Sequence, residues 1–410
     1  MKKNQNKKNA ICALNRIFVA TAIFILSAAS VWANAFRLPN QDPEAIARGD
    51  AFTATADDPS AIYYNPAGIT QLPGEQISIG AYIISADSKF SSPSGNAKTD
   101  TTPQPVPQLY ATYTLTNLPL SFGLGVYAPY GLSVNWGNNT PFNSIAEKGS
   151  LEYVCVNPVA AWKVSKTLSV AIGPNFNFSQ VGLQNALFFS PGNRFNFTGE
   201  GWDIGYNAGI LWQPDPMWSF GLNYRSGTEI TYRGRAGQNF GPPFATSVNS
   251  SATLHFPKYV TGGISFRPTA NWNFEFDLDW SQWDVDKSAT FSATPFGPQT
   301  LTFNFQDSFI FEFGATRQLW NGYFASVGYM YSENSCPSTT YNPLIDDADL
   351  SLGGVGFGHH GKRIDWMAAF QFAYAQRNVS GGQPSLSGQT ANGKYTVFNK
   401  ALNISATYKF

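Results

Sequence analysis

The chain has 410 residues, a length that fits either several soluble domains or one large barrel. Charged residues make up only 13% of it and aromatic residues 15%, with 37 Gly and 26 Pro, a composition that favours strands and turns over helices. The 26 basic and 26 acidic side chains balance, which excludes the basic surface of a nucleic-acid-binding protein.

The N-terminal residues have the pattern of an export signal. Basic residues between positions 2 and 16 precede the apolar run 17–29, and small residues follow it. We expect 1–33 to be a signal peptide, with cleavage after 33 or after 35. A single uncleaved helix is the alternative, but the run is short for a membrane span. Removal of the signal leaves Cys155 and Cys336, too few for a disulfide framework.

The rest of the chain alternates between apolar and polar residues. Even positions from Trp272 to Trp280 are apolar, whereas the odd positions between them are polar or acidic. Similar alternation occurs in 168–178, 202–212, 301–313 and 364–374. No stretch after the signal approaches roughly 18 consecutive apolar residues, which excludes a helical span there. Many of these segments are longer than the about five or six residues of a soluble strand, and they suit a transmembrane β-barrel.

Fourteen such segments follow from about Gln76, and their connections alternate in length. Short connections are expected near 116–117, 165–166, 213–216, 267–270, 321–322 and 359–361. Longer ones are expected near 89–103, 136–150, 188–199, 234–250, 284–299, 333–347 and 377–393. Short periplasmic turns and long outer loops are typical of outer-membrane barrels. The last segment alternates strictly and ends on Phe410, which resembles the signal that the barrel assembly machinery reads.

Residues 34–75 do not alternate. A barrel of about fourteen strands is wider than side chains alone can fill, so it would leak polar solutes if it were unplugged. We therefore predict an all-β membrane protein: a 14-stranded antiparallel transmembrane β-barrel (76–410) of the bacterial outer membrane, with an N-terminal hatch (34–75) that plugs the lumen. We expect a monomer surrounded by outer-membrane lipid.

Several motifs in the hatch resemble those of a known family. They are Ala35–Leu38, Ala47–Ala51, Ala56–Ser60 and Tyr63–Gly68, the last containing Asn65-Pro66-Ala67. Later segments are also similar: 128–132, 201–211, 224–226, 279–283 and 343–349. The chain is similar over essentially all of its mature length to the long-chain fatty acid transporter family (FadL-type outer-membrane proteins).

This resemblance implies a mechanism. Proteins of the family move long-chain fatty acids, or in some members aromatic hydrocarbons, without an energy source of their own. The cargo is captured near the outer loops and passes to an apolar pocket above the hatch. It leaves sideways through a gap at a kink in the third strand, beside which Asn65, Pro66 and Ala67 would lie. Partners would be hydrophobic small molecules, with no cofactor, no metal and no enzymatic activity.

The residues of the third strand support a kink at the matching place. An apolar face runs from Leu118 to Val126 and then meets Ala128, Pro129, Tyr130 and Gly131. Proline removes a hydrogen-bond donor and glycine permits a bend, so strand pairing is expected to fail here. The alternative is that Pro129 simply ends the strand at a loop.

One departure from the family concerns the cargo. The connection between the fifth and sixth strands, near 188–199, is short, whereas family members often carry a longer, partly helical loop there. We therefore expect a more open mouth and a smaller or less selectively chosen cargo.

Other polar groups give weaker hypotheses. Arg225, Arg233 and Arg235 are candidate partners of a carboxylate head group. Glu275, Asp277 and Asp279 are interpreted as a solvated lumen wall, with a cation site or a proton relay as the alternative. Neither the acidic residues at 346–349 nor His359-His360 has the spacing of a metal site, and His255 has no recognisable nucleophile partner.

The sequence thus leaves three hypotheses about function. The first is a passive channel for hydrophobic compounds. The second is a structural or surface-recognition barrel, such as an adhesin or a phage receptor. The third is a porin for polar solutes, which a plugged lumen disfavours.

Overall fold

A computed structural model describes residues 34–410, so the predicted signal peptide lies outside the described residues. Fourteen antiparallel strands form the barrel, and some of them consist of two segments separated by a short interruption. They are β1 Glu75–Ser92, β2 Gly95–Lys98 and Gln104–Thr114, β3 Leu120–Tyr127 and Leu132–Asn135, β4 Lys148–Lys163, β5 Leu168–Leu187, β6 Ser190–Trp212, β7 Trp218–Arg225 and Thr228–Gln238, β8 Ser247–Phe256 and Tyr259–Thr269, β9 Trp272–Ser281, β10 Ser308–Gln318, β11 Tyr323–Ser332, β12 Leu350–His360, β13 Ile364–Val379 and β14 Gly393–Lys409. The barrel closes because β1 pairs with β14 from Gln76↔Lys409 to Ser91↔Lys394.

The apolar face of each strand points outward. On β9, Phe274, Phe276 and Leu278 are exposed on the outer surface, whereas Glu275 and Asp277 between them are buried inside. A soluble sheet protein would bury the apolar face instead. This inversion confirms the predicted membrane barrel, whose outer wall meets lipid.

The connections differ between the two ends of the barrel. Short turns (115–119, 164–167, 213–217, 270–271, 319–322 and 361–363) lie at the end that also carries Glu75 and Phe410. Most connections at the other end are longer, and one contains a hairpin of Ser288–Phe291 and Gln299–Thr302. This asymmetry confirms the predicted loop rhythm and identifies the second end as the outer one.

The prediction of a long loop is wrong at two of the connections, which are tight hairpins instead. Residues 89–103 contain a tight hairpin at 93–94, and 188–199 contain another at 188–189. β5 and β6 stay paired out to this tip because Val181, Leu183, Phe195 and Phe197 give their inner faces an apolar surface to bury. Glycine and asparagine in this stretch suggested a loop, but inward packing outweighs local propensity.

Residues 34–72 occupy the lumen as the hatch. Two short helices, α1 Pro43–Ala47 and α2 Ala61–Tyr64, precede a 3-10 helix of Pro66–Gln71. The Asp42 side chain caps α1 by accepting from Glu44 N, and Asn65 caps the 3-10 helix by accepting from Ala67 N. Between 34 and 410, no helix is long and apolar enough to cross a membrane.

Candidate functional site: a plugged lumen with an apolar pocket and a side opening

The hatch is tied to the barrel by the acidic residues of β9. Arg37 makes two hydrogen bonds to the Asp279 carboxylate, with Nη1–Oδ1 at 2.6 Å and Nη2–Oδ2 at 2.8 Å. Arg48 Nη2 lies 2.7 Å from Glu275 Oε2, and both side chains are fully buried. The interpretation of these carboxylates as a solvated wall is therefore wrong, because alternation reveals which side a residue faces but not what occupies that side.

The same strand also binds backbone groups of the hatch. Asp277 Oδ2 accepts from Phe52 N (2.9 Å) and Thr53 N (2.7 Å), and Glu275 Oε1 accepts from Ala54 N (2.6 Å). Buried carboxylates are costly unless they are hydrogen-bonded, so these contacts stabilise the hatch in one position.

The predicted hatch motif contacts the sixth strand. Asn65 Nδ2 donates to Thr53 O (2.8 Å) and to Ile210 O of β6 (3.0 Å). A Cβ atom at Gly209 would overlap with Asn65 and Pro66, so β6 needs a glycine there. The structure thus places Asn65 to Ala67 against β6, while other hatch residues contact the third-strand kink.

Those other residues are at the beginning of the hatch. Leu38 N donates to Pro129 O (2.8 Å), and Gly131 N donates to Phe36 O (2.9 Å). Gln41 Nε2 donates to Ala128 O (2.8 Å). The strand resumes at Leu132, so Pro129 lies at a kink and does not end the strand. The kinked segment pairs with the hatch at a place where a barrel strand ordinarily pairs with its neighbour.

The hatch here replaces β4, whose pairing with β3 is interrupted between Tyr127 and Leu132. Beyond the kink, the wall also has no ladder between β2 and β3. Their pairing runs from Thr114↔Ser121 to Leu109↔Val126 and stops there. A bond from Asp100 N to Asn135 O (2.8 Å) joins the two strands again nearer the outer end. We call the interval between these points the side opening; its edges are 101–108 of β2 and 127–134 of β3.

An apolar pocket lies above the hatch. Most of its lining side chains are hydrophobic: Phe36, Leu132, Leu151, Val181, Leu183, Phe197, Tyr232, Ala252, Leu254, Ala289, Phe291, Leu301, Phe303, Leu344 and Ile345. Leu132 directly follows the kink, and the backbone carbonyl of Phe36 accepts a hydrogen bond from Gly131 of the kink. The pocket therefore adjoins the side opening.

A layer of aromatic rings separates the pocket from the deeper hatch. Phe36 packs edge-on against Trp283 (4.8 Å between ring centroids) and Phe256 (5.5 Å). Tyr130 of the kink packs against Phe256 at 4.8 Å and Tyr153 at 5.1 Å. An apolar cargo moving from the pocket towards the opening would pass these rings.

Of the three candidate arginines, only Arg225 is inside the barrel. Its Nη2 donates to Tyr127 Oη (2.6 Å) and its Nε to Tyr259 Oη (2.8 Å), while Cys155 Sγ lies 3.8 Å from Nη1. None of the ion pairs formed within 34–410 involves Arg225. Arg233 and Arg235 are exposed on the outer surface, because β7 is interrupted at 226–227.

Five phenylalanines form an aromatic patch at the outer end, and all of them except the half-buried Phe296 are exposed. They are Phe188, Phe189, Phe240, Phe244 and Phe296, from three different connections. The Phe189 ring lies 5.0 Å from Phe240 and 5.4 Å from Phe296. The short tip between β5 and β6 thus takes part in an apolar surface, which the sequence analysis missed because it treated 188–199 as one loop.

A closed barrel with an apolar outer wall, a plugged lumen and an apolar pocket has the architecture of an outer-membrane transport protein. Residues 24–410 match the family of outer membrane protein transport proteins (OMPP1/FadL/TodX), and the chain belongs to this family. It is a protein of the bacterial outer membrane.

Individual relatives are distant in sequence. The long-chain fatty acid transport protein of Escherichia coli K12 is 23% identical over 390 residues, covering 82% of this chain and 86% of that protein. Among solved structures, a Pseudomonas aeruginosa FadL homologue has a TM-score of 0.82 at 15% identity, covering 92% of this chain and all of the other. The Pseudomonas putida toluene transporter TodX has a TM-score of 0.69 at 15% identity, covering 94% and 100%. These structures establish the fold.

Proposed function

We propose that this protein is a passive channel for hydrophobic compounds, either long-chain fatty acids or aromatic and aliphatic hydrocarbons. The observation that carries the proposal is the apolar pocket above the hatch, which adjoins the side opening. The relatives described as fatty acid and toluene transporters support the same class of cargo.

Release sideways into the bilayer follows from the chemistry of such a cargo. Each buried CH₂ contributes about 0.8 kcal/mol, so release of a long acyl chain into periplasmic water would be costly. The hatch below the pocket is held by buried ion pairs, whereas the wall beside the pocket has no ladder over 101–108. We assign the exit to the kink at Ala128–Gly131.

Arg225 is proposed to bind the head group when the cargo is a carboxylate. Its guanidinium is buried, and its hydrogen bonds go to phenol groups. A carboxylate is a stronger acceptor for arginine than a phenol. Tyr127, which receives one of these bonds, directly precedes the kink, so this position lies on the route to the side opening.

The aromatic patch is proposed to capture cargo at the cell surface. Exposed apolar patches on soluble faces of proteins mark sites of interaction. Assembly is proposed to use the terminal strand β14, which pairs with β1 and is followed by Phe410.

Uptake in cells tests the proposal. A strain lacking the gene and the same strain expressing the protein are compared for uptake of oleate, hexadecane and toluene at equal surface levels. The proposal predicts faster uptake of at least one compound when the protein is present. Unchanged uptake of all three would favour a structural or recognition barrel, and faster entry of polar sugars alone would favour a porin.

A further inference from the structure

β2 carries three prolines at alternate positions along the side opening. The sequence there is Thr102-Pro103-Gln104-Pro105-Val106-Pro107-Gln108. Proline cannot donate to a ladder and is rare inside sheets. Three prolines of one parity therefore remove every second donor from this stretch.

Two of the missing donors face the opening. Thr114 N donates to Gly74 O of the segment before β1, so the even residues of Gln104–Thr114 are those bonded to β1. Leu115 N donates to Leu120 O, which begins the bonding of odd residues to β3. Pro105 and Pro107 belong to this odd set, whereas Pro103 lies outside the paired segment.

The inner part of the opening continues the register of the paired segment that ends at Leu109↔Val126. A ladder extended from this pair would pair 107 with 128 and 105 with 130. Further out the bonding pattern shifts by one position on both strands, since Asp100 N donates to Asn135 O. The register thus permits the inner part of the wall to close.

Closure would leave carbonyl groups without donors. The carbonyls of Ala128 and Tyr130 would face Pro107 and Pro105, which have no N–H. Unsatisfied backbone groups are costly in a membrane. In the open state Ala128 O accepts from Gln41 instead, and the β2 edge presents no unpaired N–H at these two positions.

We infer that Pro105 and Pro107 are positioning residues that keep the side opening from closing. They make a ladder beyond Leu109 and Val126 costly because its carbonyls would lack donors, and Pro129 adds the kink on the facing strand. This role rests on the proposed sideways release. It explains why β2 and β3 remain apart beyond their last pair in the wall of an otherwise continuous barrel.

The test restores two donors with the double variant Pro105→Val and Pro107→Val. Valine suits a strand and supplies the missing N–H groups. The matched control is Pro174→Val, which changes an exposed proline in β5, away from the opening. Surface level and the heat-modifiable mobility of the barrel confirm folding, and the single variant Pro105→Val replaces the double one if the double variant assembles poorly.

Two readouts are combined: uptake of the cargo carried by the unaltered protein, and hydrogen exchange of the new amides at 105 and 107. The even residues of this stretch pair with β1, so protection of these odd amides reports closure against β3. We expect both amides to be protected and uptake to fall at least about tenfold, with the control within about twofold of the unaltered protein.

The other outcomes separate the two claims. Unprotected amides, with uptake either unchanged or reduced, overturn the role of the prolines and leave the transport function standing. Protected amides with full uptake show that the prolines hold the opening apart, but they overturn sideways release. Failure of the unaltered protein to carry any cargo contradicts the transport function itself.

Discussion

The interruption of β7 determines which of its arginines face the lumen and which face outward. Arg225, Arg233 and Arg235 share one parity in the sequence, yet Arg225 points into the lumen and the other two point outward. The interruption at 226–227 shifts the alternation by one position. Arg225, the single buried arginine of this set, is therefore the residue that we propose for recognition of a carboxylate.

The substitution Arg225→Met tests this role. We expect it to weaken binding of a long-chain fatty acid by roughly 10- to 100-fold, since hydrogen bonds to charged groups contribute about 1.5–3 kcal/mol. Binding of a hydrocarbon should change much less, because it has no head group. Displacement of a fluorescent probe in mild detergent measures both, with Arg233→Met as the control. Equal losses for acid and hydrocarbon would contradict the assignment.

The buried pair of Arg48 and Glu275 makes a second prediction at this scale. Glu275→Gln leaves the Arg48 charge buried without its partner, which costs about 3–5 kcal/mol. The hatch should loosen while the barrel stays folded, so sensitivity to large polar antibiotics should rise. Glu229→Gln, a change at an exposed glutamate, is the control. A sealed outer membrane in the Glu275 variant would show that the pair does not hold the plug.

Among the elements, the connection between β11 and β12 (333–349) covers part of the pocket with Leu344 and Ile345. Its fold depends on Asp347, whose carboxylate accepts from Ser335 N (2.7 Å) and Cys336 N (2.9 Å). Arg377 of β13 donates to the Asp347 carbonyl at 2.6 Å. Burial raises the pKa of Asp347 to about 6, and Arg377 offsets part of the rise.

This pKa predicts a pH dependence of the loop. An unfolded Asp has a pKa of about 3.9, so the folded loop binds more protons between that value and 6. Its stability should therefore be highest at low pH and fall as the pH rises through 6. The free energy of local opening of 333–349, taken from hydrogen exchange corrected for the intrinsic exchange rate at each pH, should be larger at pH 5 than at pH 8. Burial also raises the pKa of Asp346, so Asp347→Asn should reduce the difference, whereas Asp349→Asn, at an exposed position, should keep it. An identical slope in both variants would contradict this prediction.

Most elements could be predicted from the sequence, because alternation at period two is a local property. The fourteen strands and the short turns follow from it, whereas the third-strand kink follows from Pro129 and Gly131. The hairpin tip at 188–189 and the anchoring of the hatch by β9 could not be predicted. Both depend on which residues from distant parts of the chain meet inside the lumen, and alternation carries no information about that.

In the whole molecule, apolar surfaces follow one another from the outer end of the barrel towards the hatch. The aromatic patch lies at the outer end, the pocket lies inside the lumen, and the aromatic layer with the side opening adjoins the hatch. The hatch at the bottom is held to β9 by two buried ion pairs. A hydrophobic molecule thus meets apolar contacts along a path that turns sideways, while the direct path to the periplasm is filled.

Photo-crosslinking of a diazirine-bearing fatty acid in intact cells follows this path most directly. Crosslinked residues are located by mass spectrometry of the purified protein. We expect adducts in the pocket, at Leu132 and Leu151, and at the edges of the opening, at Val106 and Tyr130. Adducts at Gln71 and Gln213, where the hatch meets a periplasmic turn, with none at the opening, would contradict sideways release.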